Sequence, residues 1–128
     1  MENERLEKGL EKLKEGDGKA VEDVIASIKG LAPDLGRYIT EFAIGDIYSR
    51  DGLSSQEKEM IILTSLLTAG GCEPQLVVHI NISLNIGMSP DKIIGTFIQC
   101  VPYAGFPKVL NAVGVAKKVF EEKNTGIS

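Results

Sequence analysis

The sequence predicts an all-α fold, a compact bundle of six to seven helices, and three observations support this prediction. Apolar residues recur at helical spacing along nearly the whole chain, as in Leu6, Leu10 and Leu13. No strand-like alternation persists, and no Asn-Gly hairpin turn occurs. Glycines, prolines and capping sequences divide the chain into segments of helix length. The 128 residues are enough for a single domain with a core of its own.

Two short amphipathic helices are predicted at the start of the chain. The first ends at the Gly-Asp-Gly sequence of residues 16–18, and the second ends at Gly30. Within one domain, we expect an N-terminal helical arm, a core and a frayed tail, at residues 1–30, 31–122 and 123–128 respectively.

The third and fourth helices have clearer boundaries. Pro33 suits the first turn of a helix that runs to about Ser49. Ser54 and Glu57 form a capping box ahead of the apolar segment MIILTSLLTA, which ends at the glycines 70–71. A helix that is apolar on nearly all sides is buried in a large core or between subunits. We therefore expect the chain to form a homo-oligomer.

Three further helices are predicted after the two glycines. The fifth begins at Pro74 and ends near Ile86, with Gly87 just past its end. Ser89 is the predicted N-cap of the sixth helix. The tract PYAGFP is predicted to be a tight connector, after which the last helix begins at Pro107.

Composition and charge exclude several classes of function. The net charge is −4 and lysines alternate with glutamates, so we expect no nucleic-acid partner. No apolar run is long enough to span a membrane, and the charged start MENERLEKGL is unlike a secretory signal, so a cytoplasmic protein is expected. One histidine and two separated cysteines make no metal site, and no phosphate-binding loop occurs; we expect no cofactor.

The stretch GGCEPQLVVH contains the residues best suited to chemistry. Cys72 falls at the start of the fifth helix, where the positive end of the helix dipole favours a thiolate. His79 lies two turns further along nearly the same face, about 10 Å away along the axis. Gln75 lies four residues before His79, within hydrogen-bonding reach. Glu59, on the preceding helix, can approach His79 if the two helices are antiparallel, and the three groups would then form a proton relay.

Structural explanations of the same residues stay open. A cysteine at a Gly-Gly turn is more often a small buried residue than a nucleophile, and Cys100 in FIQCVPY has core spacing. A lone histidine on an apolar helix is most often a hydrogen-bonded core or interface residue. Glu59 is one of 18 acidic residues, for which an exposed position is the default.

Residues 54–112 resemble the carboxymuconolactone decarboxylase family. The resemblance rests on a charged helix start before a long apolar helix, on a histidine in the next helix, and on two motifs, NIGMSPDKI from Asn85 and YAGFPKVLNA from Tyr103. It implies an all-α fold of the alkylhydroperoxidase D type, in homo-oligomers that are trimers or hexamers. The family contains lactone decarboxylases and also peroxide or disulfide reductases that use a Cys-x-x-Cys pair with a histidine and a glutamate.

The resemblance assigns roles to particular residues and also shows a departure. Cys72 matches the first cysteine of the pair, His79 matches the histidine, and Glu59 lies near the expected place of the glutamate. Gln75 stands where the second cysteine would be, so a local dithiol cycle is excluded. Cys100 is then the candidate resolving thiol within the chain, and its Cα would have to lie within about 7 Å of the Cα of Cys72. The alternatives are Cys72 or Cys100 of another subunit, or a small external thiol.

The favoured prediction is a thiol-dependent oxidoreductase, peroxiredoxin-like, that acts on a small-molecule or protein disulfide or on a peroxide. One alternative is a 4-carboxymuconolactone decarboxylase or related acid–base enzyme centred on His79. Lys58, Lys92 and Lys108 are the basic residues near the motif that could bind its carboxylated substrate. The second alternative is a helical oligomer without catalysis of its own.

Overall fold

The computed structural model describes residues 3–15 and 18–127, and all regular structure in these ranges is helical. The helix α3 continues without a break into a π-helix. If these two are counted as one and the single turn α7 is left aside, the described ranges contain seven helices, which confirms the predicted all-α fold. The helices are α1 (Glu4–Glu15), α2 (Lys19–Ile28), α3 (Pro33–Tyr38), the π-helix (Ile39–Tyr48), α4 (Ser55–Ala69), α5 (Glu73–Asn85), α6 (Pro90–Gln99), α7 (Val101–Ala104) and α8 (Phe106–Glu122).

The chain forms two compact units, residues 1–54 and residues 55–128. The predicted arm at 1–30 and core at 31–122 follow a different division and stay predictions. Of the predicted break at 16–18, residues 16 and 17 lie outside the described residues.

In the first unit, α1 packs directly against the π-helix. Gly9 lies against the backbone of Thr40, and Gly45 lies against the backbone of Arg5, so closely that a side chain at either glycine would overlap the facing carbonyl. An ion pair of 2.8 Å between Arg5 and Asp46 joins the same two helices. Glycine at both positions is therefore what allows the two backbones to approach.

The second unit contains the hydrophobic core, to which α4, α5, α6 and α8 all contribute. Glu59 is the buried charged residue of α4, whereas Ile61 on the same helix is half exposed. The apolar segment of α4 is thus buried on one side within this structure. The core side chains are Leu63, Leu67, Leu76, Ile80, Met88, Ile93, Phe97, Cys100, Val109, Ala112, Ala116, Val119 and Phe120.

The helix boundaries in this unit follow the local signals closely. Ser89 caps α6, since its side chain accepts a hydrogen bond of 3.1 Å from the backbone N–H of Lys92. Gly87 follows α5 with a φ of +96°, as a residue past a helix end requires. The tract PYAGFP differs from the predicted connector, because Pro102 lies in the one-turn helix α7. A proline near the start of a helix needs no hydrogen-bond partner for its nitrogen, so it permits this turn.

No helix in the described part of the chain is both long enough and apolar enough to cross a bilayer.

Candidate functional site

The turn between α4 and α5 places Cys72 at the start of α5. Gly70 and Gly71 both have positive φ, +75° and +69°, a backbone conformation that other residues adopt at a cost. Cys72 is the N-cap, and Pro74 lies in the first turn, where its missing N–H leaves no bond unmade. The GGCEP sequence therefore reverses the chain within three residues and fixes where α5 begins.

Glu59 and His79 are in direct contact across the α4–α5 pair. The imidazole Nδ1 lies 2.9 Å from Glu59 Oε1. The Glu59 side chain is fully buried, whereas 26% of the His79 side chain is exposed. An ionised carboxylate can only accept hydrogen bonds, so with Glu59 ionised the proton of this contact is on Nδ1, and Nε2 is then the nitrogen that can exchange protons.

The backbone around His79 is held by the packing of α5. Leu76 and Ile80, on either side of it in sequence, are buried in the core. Ser83 is also buried, and its hydroxyl donates a hydrogen bond of 2.7 Å to the carbonyl of His79. The ring is therefore carried by a well-packed helix while about a quarter of its side chain, 26%, is accessible, an arrangement suited to transferring a proton to a bound molecule.

Cys72 is half-buried, and its contacts differ from those of a thiol paired with a base. Its Sγ lies 3.4 Å from the carbonyl oxygen of Gly70 and can donate a weak hydrogen bond there. No hydrogen bond joins Cys72 to His79 among the described residues. The seven-residue interval, about 10 Å along the helix, accounts for this separation. Gln75 is exposed on the same face of α5, between these two side chains.

Cys100, the candidate resolving thiol, is a core residue at the end of α6. The residue is 8% exposed, and its Sγ lies 3.4 Å from the carbonyl oxygen of Thr96 and 3.8 Å from Thr64 Oγ1. Both cysteines are free thiols. A redox role for Cys100 stays a prediction.

Lys92 and Lys108, two of the three lysines named from the sequence, differ in the groups to which their amines donate hydrogen bonds. Lys92 Nζ donates to Gln56 Oε1 at 2.9 Å, which links α6 to the start of α4. Lys108 Nζ donates to the carbonyl of Thr68 at 2.7 Å, in the last turn of α4 and close to the Gly70–Cys72 turn. The sequence offered both lysines equally, because nothing in their spacing shows where α8 meets α4. Within the described ranges, no three His, Cys, Asp or Glu side chains are grouped as metal ligands.

Comparisons with known protein sequences give a matching family and similar proteins. The sequence model of the carboxymuconolactone decarboxylase family matches residues 33–118. The chain is 29% identical over 122 residues to a protein of Acinetobacter baylyi named 4-carboxymuconolactone decarboxylase, and the match covers 94% of this chain and 90% of that protein. It is also 23% identical over 99 residues to an uncharacterized 15.0 kDa protein of Paracoccus denitrificans, from the nqo9-nqo10 intergenic region, over 77% of this chain and 74% of that one.

The family match includes every residue of the candidate site. It extends from α3 into α8 and covers well over half of the chain, and Glu59, Cys72, His79 and Cys100 all lie inside it. The Acinetobacter match extends over nearly the full length of both proteins. The chain therefore belongs to the carboxymuconolactone decarboxylase family.

Proposed function

We propose that the protein is an acid–base enzyme that decarboxylates a small carboxylated lactone. His79 is the catalytic residue of this proposal, and Glu59 is the residue that positions it. The observation that carries the proposal is the 2.9 Å contact between the buried Glu59 carboxylate and His79 Nδ1. The name of the Acinetobacter relative, a 4-carboxymuconolactone decarboxylase that matches over nearly its whole length, supports this choice of substrate class.

The chemistry of this reaction needs one proton donor and a place for negative charge. When the carbon–carbon bond to the carboxylate breaks, carbon dioxide leaves and its bonding electrons stay on the lactone. The ring carbonyl takes these electrons as an enolate, which then accepts a proton at carbon. Nε2 of His79 supplies that proton and regains one from water, while the Nδ1 proton remains in its hydrogen bond to Glu59.

Three observations favour this function over the thiol chemistry that the sequence favoured. Gln75 occupies the place of a second motif cysteine. The sulfur of Cys72 contacts the carbonyl of Gly70, and its described hydrogen bonds do not include His79. Cys100 is buried with its sulfur against threonine oxygens. A histidine already paired with a carboxylate needs neither thiol for proton transfer.

A thiol-dependent reductase is the second candidate, and the position of Cys72 favours it. Cys72 is partly accessible and is the N-cap of α5, where backbone N–H groups favour a thiolate. In that reaction the thiolate attacks a substrate disulfide, forms a mixed disulfide and releases one substrate thiolate. A second thiol, either Cys100 or an external one, then attacks the mixed disulfide and releases the second substrate thiol.

One set of assays separates the two candidates. The purified protein is incubated with 4-carboxymuconolactone, and carbon dioxide release is measured for the wild type, His79→Ala and Cys72→Ser. We expect His79→Ala to lose about 10²- to 10⁴-fold in rate, the usual contribution of a general acid, and Cys72→Ser to keep its rate. The same proteins are tested for reduction of a disulfide and of hydrogen peroxide.

The opposite pattern would reject the acid–base proposal. If carbon dioxide release is absent or survives His79→Ala, and disulfide or peroxide reduction is present and disappears in Cys72→Ser, then the second candidate is correct. A protein that folds but shows neither activity would instead support a helical oligomer without catalysis of its own.

Assembly and location belong to the same proposal. The exposed apolar side chains of the second unit support a homo-oligomer, which we propose to be a trimer or a hexamer. The cytoplasmic location stays a prediction.

A further inference from the structure

We propose that Lys108 binds a carboxylate group of the substrate, at the Cys72 end of the α5 face that carries His79. This inference rests on the proposed function, because it assigns the anion-binding position that a carboxylated lactone requires. The effect of the Lys108 charge on the reactivity of Cys72 can also be measured without any enzymatic activity.

The contacts of Lys108 place its ammonium group at the turn before α5. Its Nζ is hydrogen-bonded to Thr68 at 2.7 Å. Its aliphatic stem packs against Gly70, where an added Cβ would lie 3.5 Å from Lys108 Cε and 3.9 Å from Nζ. The Cys72 thiol donates a weak hydrogen bond to the carbonyl oxygen of this same Gly70. Lys108 and Cys72 therefore both contact Gly70.

The ammonium group at this position can bind a ligand and keep its present contact. An ammonium has three donor hydrogens, and the bond to Thr68 uses one of them. The Lys108 side chain is exposed, so solvent reaches the group. By contrast, Lys92 is held against Gln56 on a different part of the unit. Glu73, in the first turn of α5, is the acidic residue nearest to the turn in sequence and would partly offset the positive charge.

The distance from this end of α5 to His79 fits a small dicarboxylic lactone. Residues 72 and 79 are separated by about 10 Å along the axis of the helix. A molecule of this class with a hydrogen bond of about 2.8 Å at each end also spans roughly 10 Å. In the proposed site, a carboxylate held at Lys108 lies beside the turn before α5, and the opposite end of the substrate reaches towards the imidazole along the face that carries the exposed Gln75.

A purely structural role for Lys108 predicts different behaviour. A lysine that only caps the last carbonyls of α4 contributes to stability, and its removal would leave substrate affinity and thiol reactivity unchanged. The two roles are compared with Lys108→Met, which removes the charge and keeps the stem, and with Lys108→Arg, which keeps the charge. Lys118→Met, at an exposed position on the same helix, is the matched control.

The first measurement is the steady-state kinetics of carbon dioxide release from 4-carboxymuconolactone. We expect Lys108→Met to raise KM about tenfold or more, the effect of losing a hydrogen bond to a charged group, with kcat changed less than about threefold. Lys118→Met should keep the wild-type KM, and Lys108→Arg, which keeps the charge, should raise KM less than Lys108→Met does. An unchanged KM in Lys108→Met, or an equal rise in Lys118→Met, would overturn the proposal.

The second measurement gives a result even if the protein decarboxylates nothing. Cys72 is alkylated in the native protein with anionic iodoacetate and with neutral iodoacetamide, and both rates are followed by peptide mass spectrometry. A cation beside the sulfur raises the iodoacetate rate relative to the iodoacetamide rate, so we expect this ratio to fall several-fold in Lys108→Met and to be kept in Lys108→Arg and Lys118→Met. A lowered ratio without any decarboxylation rejects the proposed function and keeps the anion site, whereas an unchanged ratio rejects the anion site.

Discussion

Glu59 is a fully buried carboxylate whose side chain reaches His79 from the neighbouring helix. Burying a charge is costly unless the charge is paired and hydrogen-bonded, so a glutamate in the core calls for a specific reason. Holding the imidazole in one orientation and one tautomer is such a reason. Glu59 would then act through His79, because its carboxylate is directed at Nδ1 and the substrate is expected at Nε2.

The first prediction concerns Glu59→Gln. The variant keeps the shape of the side chain but loses the charge, and its amide can present N–H to the ring where the native residue presents oxygen. We expect kcat to fall about 10- to 100-fold while KM changes less than about threefold, measured by carbon dioxide release from 4-carboxymuconolactone. Glu57→Gln, on the exposed side of the same helix, is the control.

A double-mutant cycle tests whether Glu59 acts through the histidine. If it does, Glu59→Gln should have almost no further effect on kcat in a His79→Ala background. An equal fall in kcat from Glu59→Gln with and without His79 would show that Glu59 acts independently of the histidine. A purely structural role of Glu59 would appear as a lower melting temperature with unchanged kcat.

The residues of the candidate site differ in how far the sequence alone predicts their positions. Cys72 and His79 stand out in the sequence, since Pro74 marks the start of a helix that follows Cys72 and contains His79. The contact of Glu59 with His79 depends on which turn of α4 faces which turn of α5, a register that periodicity does not determine. Lys108 was one of three basic candidates, and its closeness to Gly70 depends on how α8 packs against α4.

At the scale of helices and turns, the α4–α5 connection depends on two glycines with positive φ. Gly71 has open space around its Cα, so an added methyl group would clash with no other part of the chain. Any loss of stability in Gly71→Ala must therefore come from the backbone conformation itself. Gly95, inside α6, also has open space around it, and there the helical backbone favours alanine.

The second prediction is that these two substitutions have opposite effects. Gly71→Ala should lower the free energy of unfolding by about 1–2 kcal/mol, the cost of a left-handed residue with a Cβ. Gly95→Ala should raise it by about 0.5–1 kcal/mol, because alanine loses less conformational entropy in a helix. Urea denaturation of the two variants beside the wild type measures both values.

A loss of stability in Gly95→Ala would mean that α6 is not a regular helix at that point. An unchanged stability in Gly71→Ala would mean that the turn relaxes to negative φ. Such a relaxation would also move Cys72, and a changed rate of Cys72 alkylation in that variant would detect it.

Helix boundaries were predictable where a side chain or a proline determines them. Ser89 and Gly87 act in the structure as the sequence indicated, because capping and positive φ are local properties. The π-helix at Ile39–Tyr48 and the one-turn helix at Val101–Ala104 were not anticipated. Hydrophobic spacing cannot reveal either, since the wider turn of a π-helix has no distinct residue signature and a single turn is too short for a period.

At the scale of the whole molecule, buried apolar side chains are distributed unevenly. The core lies in residues 55–128. In the described ranges of the first unit, 3–15 and 18–54, the buried residues are glycines, Thr40 and Glu41, and no large apolar side chain is fully buried. The second unit also presents exposed apolar side chains, of which Tyr103, Phe106 and Leu110 are 88%, 67% and 64% exposed. A protein with this much exposed apolar surface is expected to cover part of it by association.

The third prediction is that Phe106 and Leu110 lie in a contact between copies of the chain. They are four residues apart on α8, so their side chains form one exposed apolar patch at the start of that helix. Glutamates at both positions would place two charges in that contact, and burying unpaired charges is unfavourable. We expect Phe106→Glu/Leu110→Glu to lower the molar mass measured by light scattering towards the 13.8 kDa of one chain, whereas Lys117→Glu leaves it unchanged.

Circular dichroism would verify that the double variant keeps its helices. A wild type that already has the mass of one chain, or a folded double variant with an unchanged oligomeric mass, would show that this patch is not where the copies meet.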